Sequence, residues 1–312
     1  MNYLKILRPV NLLFIIAVIC VMDKGAVKAL MLQYQLSEPL LWWQLLLLIV
    51  AIVLIAAGGY VINDYFDVKI DAINRPERLI VTRGISKQQA MTLFQCLTAA
   101  GILCGGALAA VLKSMPLGLT FLLVPGILWF YSASYKRQFL IGNLTVAFLA
   151  ALVPMTLAIA ADAAIKNEFG QDSMLGQYLI NAIYLRLAAF AAFAFLTTWA
   201  REIIKDTEDQ EGDREMECHT IPVVLGDTAS KVCATLVILI VMTLLVLGNV
   251  FYIKGGFDIT NNATKYDLLL QLCFIVTLVI LWRARLPQDY HNAQLAMKLS
   301  MLLGTLLPLV VF

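Results

Sequence analysis

Apolar residues in this chain come in long unbroken runs, not in the alternating or one-faced patterns of a water-soluble fold. The runs recur from one end to the other, near Val10–Val27, Leu40–Ile62, Ala90–Leu112, Leu117–Tyr131, Leu144–Ala161, Ile180–Trp199, Val232–Ile253, Leu268–Trp282 and Gln294–Val311. A helix of about 20 apolar residues crosses the hydrocarbon core of a bilayer, so the pattern predicts nine transmembrane helices. A closed barrel is the other structure that satisfies its backbone in lipid, but its strands would alternate in polarity, and these Leu/Ile/Val/Ala runs do not. The third and fourth runs should form a tight pair, joined by Lys113-Ser114-Met115-Pro116. No small-residue cleavage site follows the first run, which is therefore read as a span and not as a removable leader. The expectation is an all-α integral membrane protein. Its nine transmembrane helices would surround a central cavity, with residues 1-312 forming a single transmembrane domain.

Composition agrees. Of 312 residues, 61% are hydrophobic and only 14% charged, against about 25% charged in a typical soluble domain. The net charge of +2 gives no argument for nucleic acid or an acidic partner. The six cysteines show no CxxC spacing, and five lie in or beside apolar runs, where Cys behaves as a small hydrophobe. Neither a disulfide framework nor a zinc site is indicated. His219 beside Cys218 has no second pair to complete a metal site and reads as a loop residue, and His291 as an interfacial one. Gly58-Gly59 and Gly105-Gly106 fall inside spans and read as sites of close helix packing.

The cations are unevenly shared between the two sets of loops. Lys5, Arg8, Lys69, Arg75, Arg78, Arg83, Lys87, Lys136, Arg137, Arg201, Lys205, Arg214, Lys231, Arg283, Arg285 and Lys298 fall on one side. Only Lys24, Lys28, Lys113, Lys166, Lys254 and Lys265 fall on the other. The positive-inside rule then predicts a cytoplasmic N-terminus and cytoplasmic basic loops.

Two acidic motifs stand where the second and sixth runs reach that side. The first reads Asn63-Asp64-x-x-Asp67-x-x-x-Asp71 and the second Asp206-x-x-Asp209-x-x-x-Asp213. A constant offset of 142 positions carries each aspartate of the first onto the second, and Gly84 onto Gly226. A match at fixed offset indicates an internal repeat of a helix–loop–helix unit. Spacings of three, four and seven put the three carboxylates of each motif on one helical face. The bland reading is the solvated acidic end of a helix. Two copies with identical spacing at equivalent topological positions weigh against it, and so does the cost of crowding like charges at a membrane. A hard divalent cation held by oxygen ligands resolves the repulsion. Four spans separate the motifs, an even number, so both should emerge on one face and line one cavity. Arg75, Arg78, Arg201, Lys205, Arg214, Lys136 and Arg137 share that face, and with the carboxylates they suggest a diphosphate clamp.

These motifs resemble the UbiA superfamily of intramembrane prenyltransferases. Asn63-Asp64-x-x-Asp67-x-x-x-Asp71 and Asp206-x-x-Asp209-x-x-x-Asp213 are similar to its two Asp-rich motifs. Asn74-Arg75-Pro76-x-Arg78, Tyr131-Ser132-x-x-Tyr135-Lys136 and Arg8-Pro9 are similar to further family elements. Leu79 stands where many members have a second proline. Arg201-Glu-Ile-Ile-Lys205-Asp206, followed by Glu211-Gly212-Asp213, most resembles the branch that prenylates geranylgeranylglyceryl phosphate in ether-lipid synthesis. The resemblance implies two Mg²⁺ ions, a polyprenyl diphosphate donor and a lipophilic acceptor in the membrane. It implies metal ligation by Asp67, Asp71, Asp209 and Asp213. Asn63, Asp64 and Asp206 would orient metal-bound water or substrate. Arg78, Arg75 and Lys136 would meet the diphosphate, and Tyr131, Ser132, Lys205, Arg8 and Asn11 would contribute to substrate binding.

Related second motifs occur in aromatic-acceptor enzymes of quinone and chlorophyll pathways. A cation transporter is the rival from another class, but its carboxylates would lie at the bilayer midplane, not at helix ends beside arginines. CDP-alcohol phosphotransferases use a single Asp-rich motif with glycine and Ala-Arg elements that this chain lacks. Hydropathy excludes a soluble prenyl synthase.

Overall fold

The structure is a computed structural model and describes residues 2–74, 76, 79–252 and 260–311. Among the described residues, nine helices are long and apolar enough to cross a membrane, and no strand occurs. We number them α1 (Pro9–Gln33), α2 (Trp42–Phe66), α3 (Lys87–Val111), α4 (Met115–Ala133), α5 (Ile141–Phe169), α6 (Met174–Glu208), α7 (Asp227–Val250), α8 (Asn262–Arg283) and α9 (Pro287–Val311). All nine predicted spans are found, and the all-α membrane fold with them.

Helix ends differ from the apolar runs for a physical reason. Hydropathy stops at the edge of the hydrocarbon, but the backbone stays helical through the polar turns beyond it. The run predicted as Ile180–Trp199 is thus the core of the longer α6, whose last turns carry Arg201, Glu202, Lys205 and Asp206. Side chains fix several starts. Ser86 and Gln89 form a reciprocal box at the head of α3, with Ser86 Oγ accepting the Gln89 N–H at 3.1 Å and Gln89 Oε1 accepting the Ser86 N–H at 2.8 Å. Asp289 does the same work for α9, accepting the N–H groups of Arg285 and Leu286. Within α1, residues Asp23–Lys28 widen into a π-helical turn.

The chain divides into two compact units: residues 1–135 with 152–189, and residues 136–151 with 190–312. In the first, α2 packs closely on α3 and α4 through glycines. A Cβ at Gly101 would come 2.6 Å from Ile55, one at Gly59 would come 2.9 Å from Leu128, and one at Gly105 would come 2.2 Å from the Phe121 ring. The α3–α4 pair is as tight as the short Lys113–Pro116 connection predicts. A core of Ile6, Val61, Ile62, Val81, Ile85, Ala90 and Phe94 closes this unit under the end of α2. In the second unit, Ala200, Val237, Ile238, Val241, Phe274 and Met297 join α6 to α7, α8 and α9. A second cluster around Ile203, Ile204 and Ile221 lies toward the end of α6 that bears the acidic motif.

Candidate active site

Both acidic motifs are built the same way, each within its own unit. Asn63 and Asp64 occupy the last turn of α2; Asp67 follows that helix, and Asp71 sits in the short helix Val68–Asn74. Asp206 occupies the last turn of α6; Asp209 follows, and Asp213 sits in the short helix Gln210–Glu215. The spacing predicts one continuous helical face, but each motif is interrupted at its middle aspartate. Asp67 has φ −86°, ψ 0° and Asp209 φ −92°, ψ 7°, the bridge region where many active-site residues lie. The hydrogen bonds run across the interruption: Asp67 N–H to Asn63 O and Asp71 N–H to Asp67 O, Asp209 N–H to Lys205 O and Asp213 N–H to Asp209 O. Two breaks at one motif position, with one backbone conformation, extend the repeat from sequence to structure.

The first aspartate of each motif is held by a side chain from far back in the chain. Arg8 Nη2 donates to Asp64 Oδ1 at 2.5 Å. Arg8 is the left-handed residue (φ 51°) before Pro9 at the start of α1, a place where proline disfavours the right-handed helix. Its guanidinium also lies 5.2 Å from the centre of the Tyr60 ring. In the second unit, Asn143, in the first turn of α5, donates from Nδ2 to Asp206 Oδ2 at 2.9 Å. Asn63 Nδ2 donates to Asp67 Oδ2 at 2.7 Å, and Thr220 Oγ1 to Asp213 Oδ2 at 3.2 Å. Asp67 and Asp213 are buried.

The second unit also collects the cations expected there. Burial pushes the Asp213 carboxyl up to about 6, helped by the charge of Asp209 and opposed by Thr220, Lys205 and Lys136. Burial takes the Lys136 ammonium down to about 7, and repulsion from Lys205 and Arg137 adds to it. Lys136, Arg137, Lys205 and Asp213 are thus one electrostatic neighbourhood. The His219 N–H ties in by donating to Arg137 O at 2.8 Å, and His219 is an exposed loop residue as read. Lys205 lies 3.5 Å from Glu202, a buried acid that Arg201 also meets at 2.6 Å.

Among the remaining site expectations, Arg75 and Arg78 lie outside the described residues. Tyr131 is half-buried at the end of α4, and Ser132 is buried with its hydroxyl donating to Leu128 O of its own helix at 2.9 Å. Asn11 is half-buried in the first turn of α1. Sequence reasoning missed Asn143, Thr220 and Glu202. Asn143 and Glu202 had a usable signal, a polar or acidic residue within or at the mouth of an apolar span.

Among the described residues no three Asp, Glu, His or Cys side chains converge as a ready-made metal centre. The donor set nonetheless fits Mg²⁺, which keeps several waters and takes one or two carboxylates plus substrate phosphates. A buried carboxylate with a raised pKa beside a second carboxylate, as at Asp213, is the electrostatic form of a site that a cation stabilises.

The model of the UbiA prenyltransferase family matches residues 26–302. The chain belongs to that family. Digeranylgeranylglyceryl phosphate synthase of Methanothermobacter thermautotrophicus is 33% identical over 242 residues, covering 76% of this chain and 72% of that protein. The fold matches the apo structure of a UbiA homolog from Aeropyrum pernix K1 with TM-score 0.65 at 21% identity, over 93% of this chain and 96% of that one. It also matches a UbiA homolog from Archaeoglobus fulgidus bound to GPP and Mg²⁺, with TM-score 0.59 at 16% identity, over 99% and 100%. Like the family, the protein is a multi-pass integral membrane protein.

Proposed function

We propose that this member of the UbiA family transfers a polyprenyl group from an allylic diphosphate to geranylgeranylglyceryl phosphate, in a Mg²⁺-dependent reaction within the membrane. The observation that carries the reaction class is the repeated motif: two trios of aspartates, each interrupted at the same position in the same conformation. The acceptor reading is supported by the likeness to digeranylgeranylglyceryl phosphate synthase.

In this reading Asp67, Asp71, Asp209 and Asp213 are the Mg²⁺ ligands, two ions in all, and Asn63, Asp64 and Asp206 orient water or substrate. Bound Mg²⁺ would supply positive charge against the departing diphosphate. Lys136, Arg75 and Arg78 contact the diphosphate and add to that charge, the electrostatic contribution expected to dominate. Burial leaves Lys136 sensitive to its surroundings, and an anion beside it restores its protonated form. Arg8 acts on substrate through Asp64, while Lys205, Tyr131, Ser132 and Asn11 complete substrate binding. Apolar helix walls limit capture of the allylic cation by water, which leaves the acceptor hydroxyl as nucleophile. The chain acts as one transmembrane domain in this reading, and the excess of Lys and Arg in one set of loops supports a cytoplasmic N-terminus and cytoplasmic motifs.

The test is transfer from a radiolabelled C20 prenyl diphosphate by the purified protein, with Mg²⁺ or EDTA, against geranylgeranylglyceryl phosphate and aromatic acceptors. Mg²⁺-dependent product with the glyceryl acceptor, lost in Asp67→Ala and Asp209→Ala, is expected. Product with an aromatic acceptor alone overturns the acceptor. Neither transfer nor diphosphate release with any acceptor or chain length overturns the enzyme.

A further inference from the structure

Glu208 stands inside the second motif, between Asp206 and Asp209, as the last residue of α6. Both of its carboxylate oxygens are engaged by α9. His291 Nδ1 lies 3.3 Å from Oε1, and Gln294 Nε2 donates to Oε2. His291 and Gln294 are three residues apart and therefore share a face of α9. The contact is sheltered, with Glu208 12% exposed as a side chain and Gln294 5% exposed as a residue. A carboxylate so placed is costly unless its oxygens are met, and here both are.

The consequence for the motif is geometric. Residues two apart on an α-helix point about 200° apart. Pinning Glu208 to α9 therefore turns Asp206 to the opposite side of α6, where Asn143 of α5 receives it. The pinned residue is also the last one before the break at Asp209, so it sets the direction in which the second half of the motif leaves the helix.

The first motif supplies an independent parallel. The offset of 142 that relates the motifs carries Glu208 onto Phe66. Phe66 is likewise the last residue of α2, and it packs edge-on against Trp129 of α4 with ring centres 5.5 Å apart. Each motif thus has its helix end anchored to a neighbouring helix by the residue just before its middle aspartate. One anchor is aromatic and the other is a hydrogen-bonded carboxylate.

We propose that Glu208 is a positioning residue for the second motif, clamped by His291 and Gln294 so that Asp209 and Asp213 are presented for cation binding and Asp206 is held toward Asn143. The proposal rests on the reading of that motif as a Mg²⁺ site. Glu208 does not touch the cation; it fixes the rotation of the last turn of α6, from which the ligand-bearing segment leaves.

The experiment measures Mn²⁺ binding by EPR on the purified full-length protein, Mn²⁺ being a visible stand-in for Mg²⁺. It also measures transfer rate against Mg²⁺ concentration, and the unfolding temperature in detergent. Outer partners that orient metal ligands are commonly worth 10- to 100-fold in metal affinity. Glu208→Ala should therefore weaken Mn²⁺ binding about tenfold and raise the half-saturating Mg²⁺ equally, with activity recovered at high Mg²⁺ and the acceptor KM unchanged. Glu208→Gln can accept from Gln294 and donate to His291 and should stay within about threefold. His291→Ala added to Glu208→Ala should cost nothing further. If Glu208→Ala does not fold, His291→Ala and Gln294→Ala each remove half the clamp and should give intermediate losses. The clamp is refuted if Asp209→Ala abolishes Mn²⁺ binding at the second motif while folded Glu208→Ala, or both half-clamp variants, bind as the wild type. It is refuted differently if Glu208→Gln is as damaged as Asp209→Ala, since the Glu208 charge would then itself be a ligand. Wild-type Mn²⁺ binding in Asp209→Ala overturns the metal reading and the clamp with it.

Discussion

Replacing Asn143 with leucine tests whether the side chain that holds Asp206 organises the second motif. Asn143 is 5% exposed, and its amide donates to Asp206 Oδ2 at 2.9 Å. Leucine keeps nearly the same volume, so packing changes little and the loss is confined to one hydrogen bond. Leaving a buried carboxyl oxygen without its donor costs about 1–3 kcal/mol. Asp206 is proposed to orient groups in the reacting complex, so the loss should fall on kcat/KM, by roughly five- to 150-fold. The assay is steady-state transfer with a C20 donor at saturating Mg²⁺, with thermal unfolding in detergent as a control for folding. A folded Asn143→Leu enzyme within twofold of wild type in kcat/KM would refute the reasoning, because Asp206 would then need no holder.

Arg8→Ala should matter less than Asn143→Leu: the Arg8 side chain is 40% exposed, and solvent screens an exposed pair to about 1 kcal/mol or below. A double-mutant cycle with Asp64→Asn checks it, and a coupling well above that value would contradict the screening argument. Gly105→Ala should destabilise the α3–α4 pair by about 1–3 kcal/mol through overpacking, because its Cβ would meet Phe121 at 2.2 Å, whereas the neighbouring Gly106 has nothing within 4 Å and should tolerate alanine. Unfolding temperatures of the two variants in detergent separate them, and equal values would show that the glycine contact is not close in solution. Metal binding should depend on pH through Asp213, raised to about 6 without metal: protons compete below that value, so Mn²⁺ affinity at pH 5 should be about tenfold weaker than at pH 7.5. In the metal-free protein the sign is reversed for stability, since a raised carboxyl favours the fold while protonated and loses that contribution as the pH rises through about 6. An affinity independent of pH between 5 and 7.5 would remove Asp213 from the ligand set.

Lipid made most of the fold legible. A spanning segment must satisfy its own backbone, so an apolar run of sufficient length has one structural outcome, and all nine runs became helices. Helix ends were less legible, because Arg201, Glu202 and Lys205 look like loop chemistry yet continue α6. The aspartate spacing announced the motif, but not the break at Asp67 and Asp209, since i to i−4 hydrogen bonds bridge both interruptions. His291 read as an ordinary interfacial residue because its partner lies 83 positions away.

The holders of the first aspartates were invisible for a more instructive reason. Arg8 lies 56 residues before Asp64, and Asn143 lies 63 residues before Asp206. Each sits at the start of the span that precedes its motif helix by one position in the repeat, α1 before α2 and α5 before α6. The two separations differ by seven residues, so the fixed offset of 142 that aligns the motifs fails to align their holders. The side chains also differ, a guanidinium in one copy and an amide in the other. Phe66 and Glu208 follow the same logic at a position the offset does match, one anchoring by ring packing and the other by hydrogen bonds. The repeat is therefore conserved as a set of mechanical tasks more than as a set of residues. The carboxylates are alike in both copies because the cation proposed for them admits few substitutes. Holding a helix end or an aspartate in place admits many, so those positions have diverged, and only the folded chain brings them together.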